Sequence, residues 1–599
     1  MIKIQSKTSI NLYDFIEKLE QAGYQRSEEL SYGKYYFRGD TIRIHPVNQK
    51  DELRVDLFGD NIEKIIVGKI EVDTFEIKNN IINLEDGSKI RPGNYVVHID
   101  HGVGIFSSIG LKKVGTQDKE YIFIEFLNND FLFVPLKDKD RVSPYIGVGR
   151  RRPRLNKLGS EAWTRTKRKT YESIMLLARE LLNTYALREV KNSKKYRIDN
   201  NWDREIRKTF DYVETSDQKK ALDDVYGDLE KEKPMDRLIC GDVGFGKTEI
   251  ALRASVQAIA NGYQAALLCP TTILAEQHFA NIKNRFKNLP VNVEVLSRFQ
   301  TNKKTAEVIE KIKNGSVDLI VGTHKLLNKN IVYKNLDLLI IDEEQRFGVK
   351  QKELLKKERE EINVLTLSAT PIPRTLFISL SGIRDISQIN TPPRGRKNIK
   401  TEVIVESISD IKLYIDRELK RGGQVYYLFN KVRSMETKRR QIQKLVPKVR
   451  VEVAHGQMGE RALSGVMSDF AGRDIDVLVC STIVGSGLDL ANVNTLIIEE
   501  ADKFGLSQLY QIRGRIGRSE KQAYSLLMHK DKKITDQAFA RLRSMVENSE
   551  LGSGFNIALS DLEIRGGGNV LGREQHGNME SVGLVLYSKL LKRAVDKLR

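Results

Sequence analysis

The sequence predicts an α/β chain: two tandem parallel-sheet domains preceded by a small mixed domain and a small β-barrel. Three observations predict it. Across residues 201–599 apolar strands alternate with helical segments: RLIC, AALLC, DLIVG, LDLLIID and VLTLSA, then QVYYLF, VEVAH, VLVCS and TLIIE. Near-continuous apolar strands between helices belong to parallel sheets covered on both faces. The two series meet near TPPRGR at Thr391–Arg396, which divides the region into residues 206–395 and 396–550, with a closing segment at 551–599. Before that, shorter apolar runs broken by turns read as two small domains.

The first small domain is expected over residues 1–85. Its runs YYFRGDTIRIHPV and LRVDLFGDNIEKIIVGKI place strand ends at Gly39-Asp40 and Gly59-Asp60. Residues 86–148 hold YVVHIDHGVGIF, KEYIFIEF and FLFVPL, several short strands at the spacing of a small barrel. His98 and His101 flank Asp100 there, but glycines 102 and 104 follow at once, which favours a strand-end turn over a metal site. Residues 149–205 change character. Between 151 and 200 there are 14 Lys or Arg against 5 Asp or Glu, and Ile174, Leu177, Leu181 and Tyr185 recur at helical spacing. This is a long basic helix, either a nucleic-acid contact or a solvated linker.

Composition bounds the class. Lys and Arg outnumber Asp and Glu by 99 to 80, a formal charge of +19. That surplus favours a polyanionic partner, because each neutralised phosphate releases a counterion. The alternative is a merely soluble basic protein. The start, MIKIQSKTSI, lacks the apolar core of a secretory signal, and no stretch approaches the roughly 18 apolar residues of a membrane span. Cys240, Cys269 and Cys480 are far apart and each ends an apolar run. They read as buried strand-end thiols in a reducing compartment, so the expectation is a cytoplasmic protein without a membrane partner.

Three motifs carry chemistry. GDVGFGKT (Gly241, Asp242, Val243, Gly244, Phe245, Gly246, Lys247 and Thr248) follows the strand RLIC and opens the helix EIALRASVQAIA. Glycines 244 and 246 let backbone N–H groups turn toward phosphates, and the helix N-terminus adds positive potential. Lys247 is expected on the β- and γ-phosphates of ATP and Thr248 on Mg²⁺. The strand LDLLII then delivers Asp342 and Glu343 to its carboxyl end. Asp342 suits a Mg²⁺ ligand, and Glu343 suits the group that deprotonates the attacking water. QLYQIRGRIGRS presents Arg513, Arg515 and Arg518 from the second domain, as arginines that stabilise charge on a transferring phosphoryl group.

Together GDVGFGKT, DEEQ, SATPIPRT and QLYQIRGRIGRS resemble motifs I, II, III and VI of superfamily-2 helicases and translocases, whose domains are RecA-like. PTTILAEQ resembles motif Ia, VGTHKLL motif Ib and VLVCSTIVGSGLDLAN motif V. FDYVETSDQ resembles the adenine-side element. This resemblance implies base contacts from Phe210 and Gln218, a nucleotide contact from Asp489, DNA contacts from Thr271 and Thr323, and catalytic roles for Arg515 and Arg518.

DEEQRFGVKQKE, ATPIPRTLFISLSGIRDIS, VAHGQM and ADKFGLSQLYQIRGRIGRS look closer still to the bacterial transcription-repair coupling factors. LGSGFNIALSDLEIRGGGNVLGREQHG resembles the translocation motif those factors share with the fork-reversal helicase RecG. YVVHIDHGVGIF resembles their RNA-polymerase-interacting domain, which RecG lacks, and RGDTIRIHP and LRVDLFGD resemble part of their UvrB-related module. The resemblance implies an ATP-dependent double-stranded DNA translocase that displaces stalled RNA polymerase. Its polymerase contact, to the β subunit, falls at Leu111, Lys112 and Val114, and its DNA-coupling residues at Arg565 and Gln575.

Two departures stand out. Gly485 replaces an acidic residue and Ala491 a proline of the family's motif V. Relative to the family, the N-terminal part is short for the UvrA-binding module and no C-terminal domain follows Arg599, as in a reduced natural relative or a shortened chain. This implies weak or no UvrA binding. Two other readings stay open: a RecG-like DNA-remodelling helicase, and a polymerase-binding factor with an inactive motor.

Overall fold

The computed structural model describes all residues except 85–88, 116, 146–152, 190–192, 329, 345–346, 348–361, 370–383, 483–489, 491, 531–533, 565–580 and 599. The chain divides into two compact units: residues 1–179 with 565–599, and residues 180–564.

The first unit opens with a six-stranded sheet. Lys34–Arg38 and Thr41–His45 join through Gly39, and Leu53–Phe58 and Asn61–Val67 through Gly59; both glycines have positive φ, as tight hairpin turns demand. Alternation places Leu53, Val55 and Leu57 inside. The helix Leu12–Gln21, capped by Asn11, covers them with Phe15 and Leu19. Next comes a five-stranded antiparallel sheet, where the sequence predicts the barrel. Its order is Phe131–Pro135, Gln117–Glu125, Gly102–Val114, Tyr95–His98, Val142–Pro144. A register shift between Phe106 and Ser108 bends the long central strand, which pairs with Tyr95–His98 only over its first residues. Buried Asn80 ties the turn after the helix Leu12–Gln21 to the five-stranded sheet, donating to Gly23 O and accepting the Ile109 N–H. His98 ends its strand and stacks on His101 before the turn to Gly102. The helix Leu584–Leu598 lies against the sheet, where Lys589 donates to Ser143 Oγ at 3.0 Å. The basic helix runs from Glu161 to Glu189 with Ile174 and Leu177 buried; the side chains of Leu181 and Tyr185 lie outside the described residues.

The second unit holds two sheets, parallel throughout. The first has seven strands in the order Val293–Leu296, Leu319–Gly322, Gln264–Leu268, Leu336–Asp342, Asn363–Ser368, Asp236–Gly241, Asp385–Ile389. The second has six: Lys400–Val405, Tyr524–His529, Val493–Ile498, Gln424–Leu428, Val477–Cys480, Val451–Ala454. Successive residues feed opposite faces: Ala265 and Leu267 join one core, Ala266 and Leu268 another. In the second sheet Tyr426 and Leu428 likewise oppose Val425 and Tyr427. Burial on both faces explains the unbroken apolar strands. The second unit is therefore a pair of RecA-like domains. Among the described residues no helix is long and apolar enough to cross a membrane.

Candidate nucleotide-binding site

The strand Asp236–Gly241 is held between two parallel neighbours, so its carboxyl end is fixed. There Gly244 and Gly246 take φ of +79° each, and Gly246 caps the helix Lys247–Ala260. The φ of Gly246 strains any side chain there, and a Cβ would also lie 2.4 Å from Gln218 Nε2 and displace it. Gln218 belongs to a capping box with Thr215: its Oε1 accepts the Thr215 N–H, and its Nε2 donates to Phe245 O at 2.9 Å. The segment expected beside the adenine is thereby tied to the glycine-rich loop.

Lys247 is buried, with Nζ donating to Gly241 O at 2.7 Å and Asp242 O at 2.9 Å. Burial pulls its ammonium below the ordinary lysine range, against the opposing charges of Glu343, Asp342 and Asp242. Asp342 ends its strand 3.3 Å from His278 Nε2. Burial works against its charge, but the His278 contact, with Lys247 and Arg515, holds the carboxyl below its usual range. Glu343 sits in the left-handed region at φ +51°, which turns its carboxylate out of line with the strand. Its N–H donates to Leu367 O, and its Oε1 accepts the Ala369 N–H at 3.3 Å.

Phe210, Gln218, Lys247, Thr248, Asp342 and Glu343 line one cavity of about 670 Å³. Arg515 and Arg518 of the second domain line it too. The donor set fits Mg²⁺: a hydroxyl and one carboxylate, hard oxygens that leave positions for phosphate and water. No group of three or more His, Cys, Asp or Glu could hold a metal among the described residues.

Other expected residues lie elsewhere. Phe245 is fully buried in the first domain's core, and the Asp242 carboxylate faces the second domain. Arg513 donates to Met545 O and Asn548 O. Thr271 caps the helix Thr272–Arg285, and Thr323 is buried before a short 3-10 turn. Leu111, Lys112 and Val114 occupy the far end of their strand, opposite Glu120, Lys119 and Gln117, with Lys112 Nζ 3.4 Å over the Phe133 ring. Asp489, Arg565, Gln575, Gly485 and Ala491 lie outside the described residues.

Sequence reasoning missed two arginines. Arg285 stacks over Phe210 at 5.3 Å and is held by Glu249 and Thr209. Arg396, in the linker, donates to Val243 O and lies over Phe245. For Arg396 the signal was the pair of arginines in the Pro/Gly linker; Arg285 had none.

Family models match in four stretches. They are the UvrB interaction domain at 2–83, the CarD-like/TRCF RID domain at 90–146, the DEAD/DEAH box helicase at 215–377 and the helicase conserved C-terminal domain at 404–520. A transcription-repair-coupling factor of Bacillus subtilis is 48% identical over 86% of this chain, and one of Staphylococcus epidermidis 47% over 87%. The chain resembles the transcription-repair-coupling factors. It spans 44% and 45% of the length of these two factors. Among solved structures, RecG bound to a three-way DNA junction covers 85% of this chain, and 79% of its own length, with a TM-score of 0.58. At 24% identity that likeness speaks for the fold of this chain alone.

Proposed function

We propose that this chain hydrolyses ATP to move along double-stranded DNA and displaces stalled RNA polymerase, an activity in keeping with the transcription-repair coupling that the name of its relatives states. One observation carries the reading: phosphate loop, acidic pair and two arginines of the second domain line a single cavity. Loop amides and Lys247 bind the phosphates. Mg²⁺ on Thr248 and Asp342 would neutralise charge on the β- and γ-phosphates. Glu343, anchored at Leu367 and Ala369, is placed to take a proton from water. Arg515 and Arg518 balance charge from the far side, so hydrolysis alters what holds the domains together.

Duplex DNA is held mainly through phosphates, which suits the surplus of basic residues. Thr271, Thr323, Arg565 and Gln575 are our candidates for linking domain motion to DNA. The polymerase β subunit adds a strand beside Leu111–Val114, where main-chain hydrogen bonds supply the affinity. Val114 is 45% exposed at the end of its strand, which suits such a contact.

The test is release of a stalled RNA polymerase from duplex DNA by this chain with ATP. We expect release by the wild type and none by Lys247→Ala. Val114→Pro should lose release and polymerase capture while keeping DNA-stimulated ATP hydrolysis. Hydrolysis with no release, and no capture of polymerase by the wild type, would leave a DNA remodeller in place of a coupling factor.

A further inference from the structure

Asp242 is the second residue of the phosphate loop and is 6% exposed, yet its carboxylate is not among the groups that line the cavity. Its Oδ2 accepts the Tyr510 hydroxyl at 2.6 Å and the Gly552 N–H at 2.7 Å; its Oδ1 accepts the Gly554 N–H at 2.9 Å. Every one of these donors lies beyond the linker between the RecA-like domains. Tyr510 comes from the helix Leu506–Arg513, and the two glycines from the turn that opens the helix Gly554–Ile564. Both glycines are needed. Gly552 has φ +88°, and a Cβ on Gly554 would lie 2.5 Å from Asp242 Oδ1 and 2.7 Å from Ala369 O. A side chain there would drive the N–H donors off the carboxylate.

The helix Leu506–Arg513 extends the contact. Ser507, Tyr510 and Gln511 stand at i, i+3 and i+4, on one face. Ser507 Oγ donates to Asp561 Oδ2 at 2.8 Å, and Gln511 Nε2 approaches Glu343 Oε2 at 3.4 Å. A single helical face thus meets the phosphate loop, the water-activating glutamate and the helix Gly554–Ile564. The following turn carries Arg515 and Arg518 to the cavity.

Lys247 closes the circuit. Its Nζ donates to the backbone carbonyl of Asp242 itself, at 2.9 Å. Drawing that ammonium onto a phosphate exchanges the bond and frees the carbonyl of the residue whose side chain holds the second domain. Hydrogen bonds to a buried carboxylate are roughly twice as strong as neutral ones, so a shift of this backbone is transmitted rather than absorbed.

We propose that Asp242 is a positioning residue that passes nucleotide state from the phosphate loop to the helix Gly554–Ile564, making ATP chemistry and movement one event. The proposal rests on the motor reading above.

Tyr510→Phe deletes one donor, keeps the ring, and lies outside the cavity. Two rates are measured on the full chain: DNA-stimulated ATP hydrolysis, and displacement of a third strand from triplex DNA. For Tyr510→Phe we expect KM for ATP unchanged, kcat within about twofold, and ATP consumed per displaced strand raised about tenfold, the loss of one charge-assisted bond. Asp242→Asn should move the ratio the same way, and the double variant should be no worse than Asp242→Asn alone, because both break one contact. If hydrolysis and displacement fall in proportion, if neither changes, or if the two effects add, the proposal is overturned. Should Asp242→Asn not fold, Tyr510→Phe decides by itself. A wild type that hydrolyses ATP without displacing the strand overturns the motor reading instead, and the proposal with it.

Discussion

In the first RecA-like domain the strand Asp236–Gly241 runs into a glycine-rich loop that presents backbone amides; in the second, the strand at the same place in the sheet, Lys400–Val405, runs into Ser407, whose hydroxyl caps the next helix by accepting the Asp410 N–H. The frames beneath are the same. Gln264 and Gln424 each open a strand beside a register shift, and each donates twice to carbonyls across the sheet end: Ile312 and Val317 in one domain, Phe470 and Ile475 in the other. Asp318 and Asp476 each accept a backbone N–H, from Asn292 and Arg450. Gly315 and Arg473 both take positive φ at the matching bend.

The acidic pair is also duplicated. By register Asp342 and Glu343 correspond to Glu499 and Glu500, and Glu343 and Glu500 share the left-handed backbone, at φ +51° and +49°. Their surroundings differ. Glu499 is engaged by Tyr427 and Lys438, and Glu500 by Lys431 and Lys503. Asp342 meets His278 and the cavity. On the proposed function, one scaffold serves chemistry or structure according to which loop follows the strand and which cations face the acids.

The two acidic pairs should differ most in ATP turnover. Glu343→Gln should slow ATP turnover about a hundredfold or more, as loss of a general base does. Glu500→Gln should leave turnover within about twofold. Equal losses in a steady-state ATPase assay would mean that the second domain's acids are part of the machinery.

The shared frame predicts equal costs. Gln264→Leu and Gln424→Leu each strand two carbonyls, and each should destabilise its domain by about 3 kcal/mol, read from denaturant midpoints. A cost confined to one domain would break the parallel. Ser407→Ala should cost about 1 kcal/mol, the value of a helix cap, and leave nucleotide binding untouched.

The smallest effect is acid-dependent. Burial works against Glu500's charge, but hydrogen bonds from Lys431 and Lys503 hold its carboxyl at about 2, below the ordinary 4.5. The folded state therefore keeps the charge, and the contribution is full above pH 4.5 and lost as pH falls toward 2. At this surface site we expect under about 1 kcal/mol, absent in Glu500→Gln when midpoints are followed from pH 5 to 2.

What could be read in advance follows burial and contiguity. RLIC, AALLC and VLVCS are legible because both faces of each strand are covered. Asp385–Ile389 and Lys400–Val405 escape because they are edge strands with mixed sequences, and Val293–Leu296 escapes although Val451–Ala454, an edge strand of nearly the same sequence, is legible as VEVAH. Tyr524–His529 lies inside its sheet, but its Leu-Leu-Met centre suits a helix equally. The phosphate loop and acidic pair declare themselves because each is one unbroken stretch before or after an apolar strand. The Asp242–Tyr510 bond joins residues 268 apart, and no local pattern marks either partner for the other.

The three cysteines have a practical corollary. All are buried, and desolvation raises the pKa of each thiol, that of Cys240 to about 12. Thiolate, the form that attacks maleimides, is accordingly scarce at neutral pH. A cysteine introduced on an exposed residue such as Leu413 would then be the one a fluorophore finds, with the native sequence otherwise intact. The chain comes ready for single-molecule spectroscopy with its dark thiols left in place.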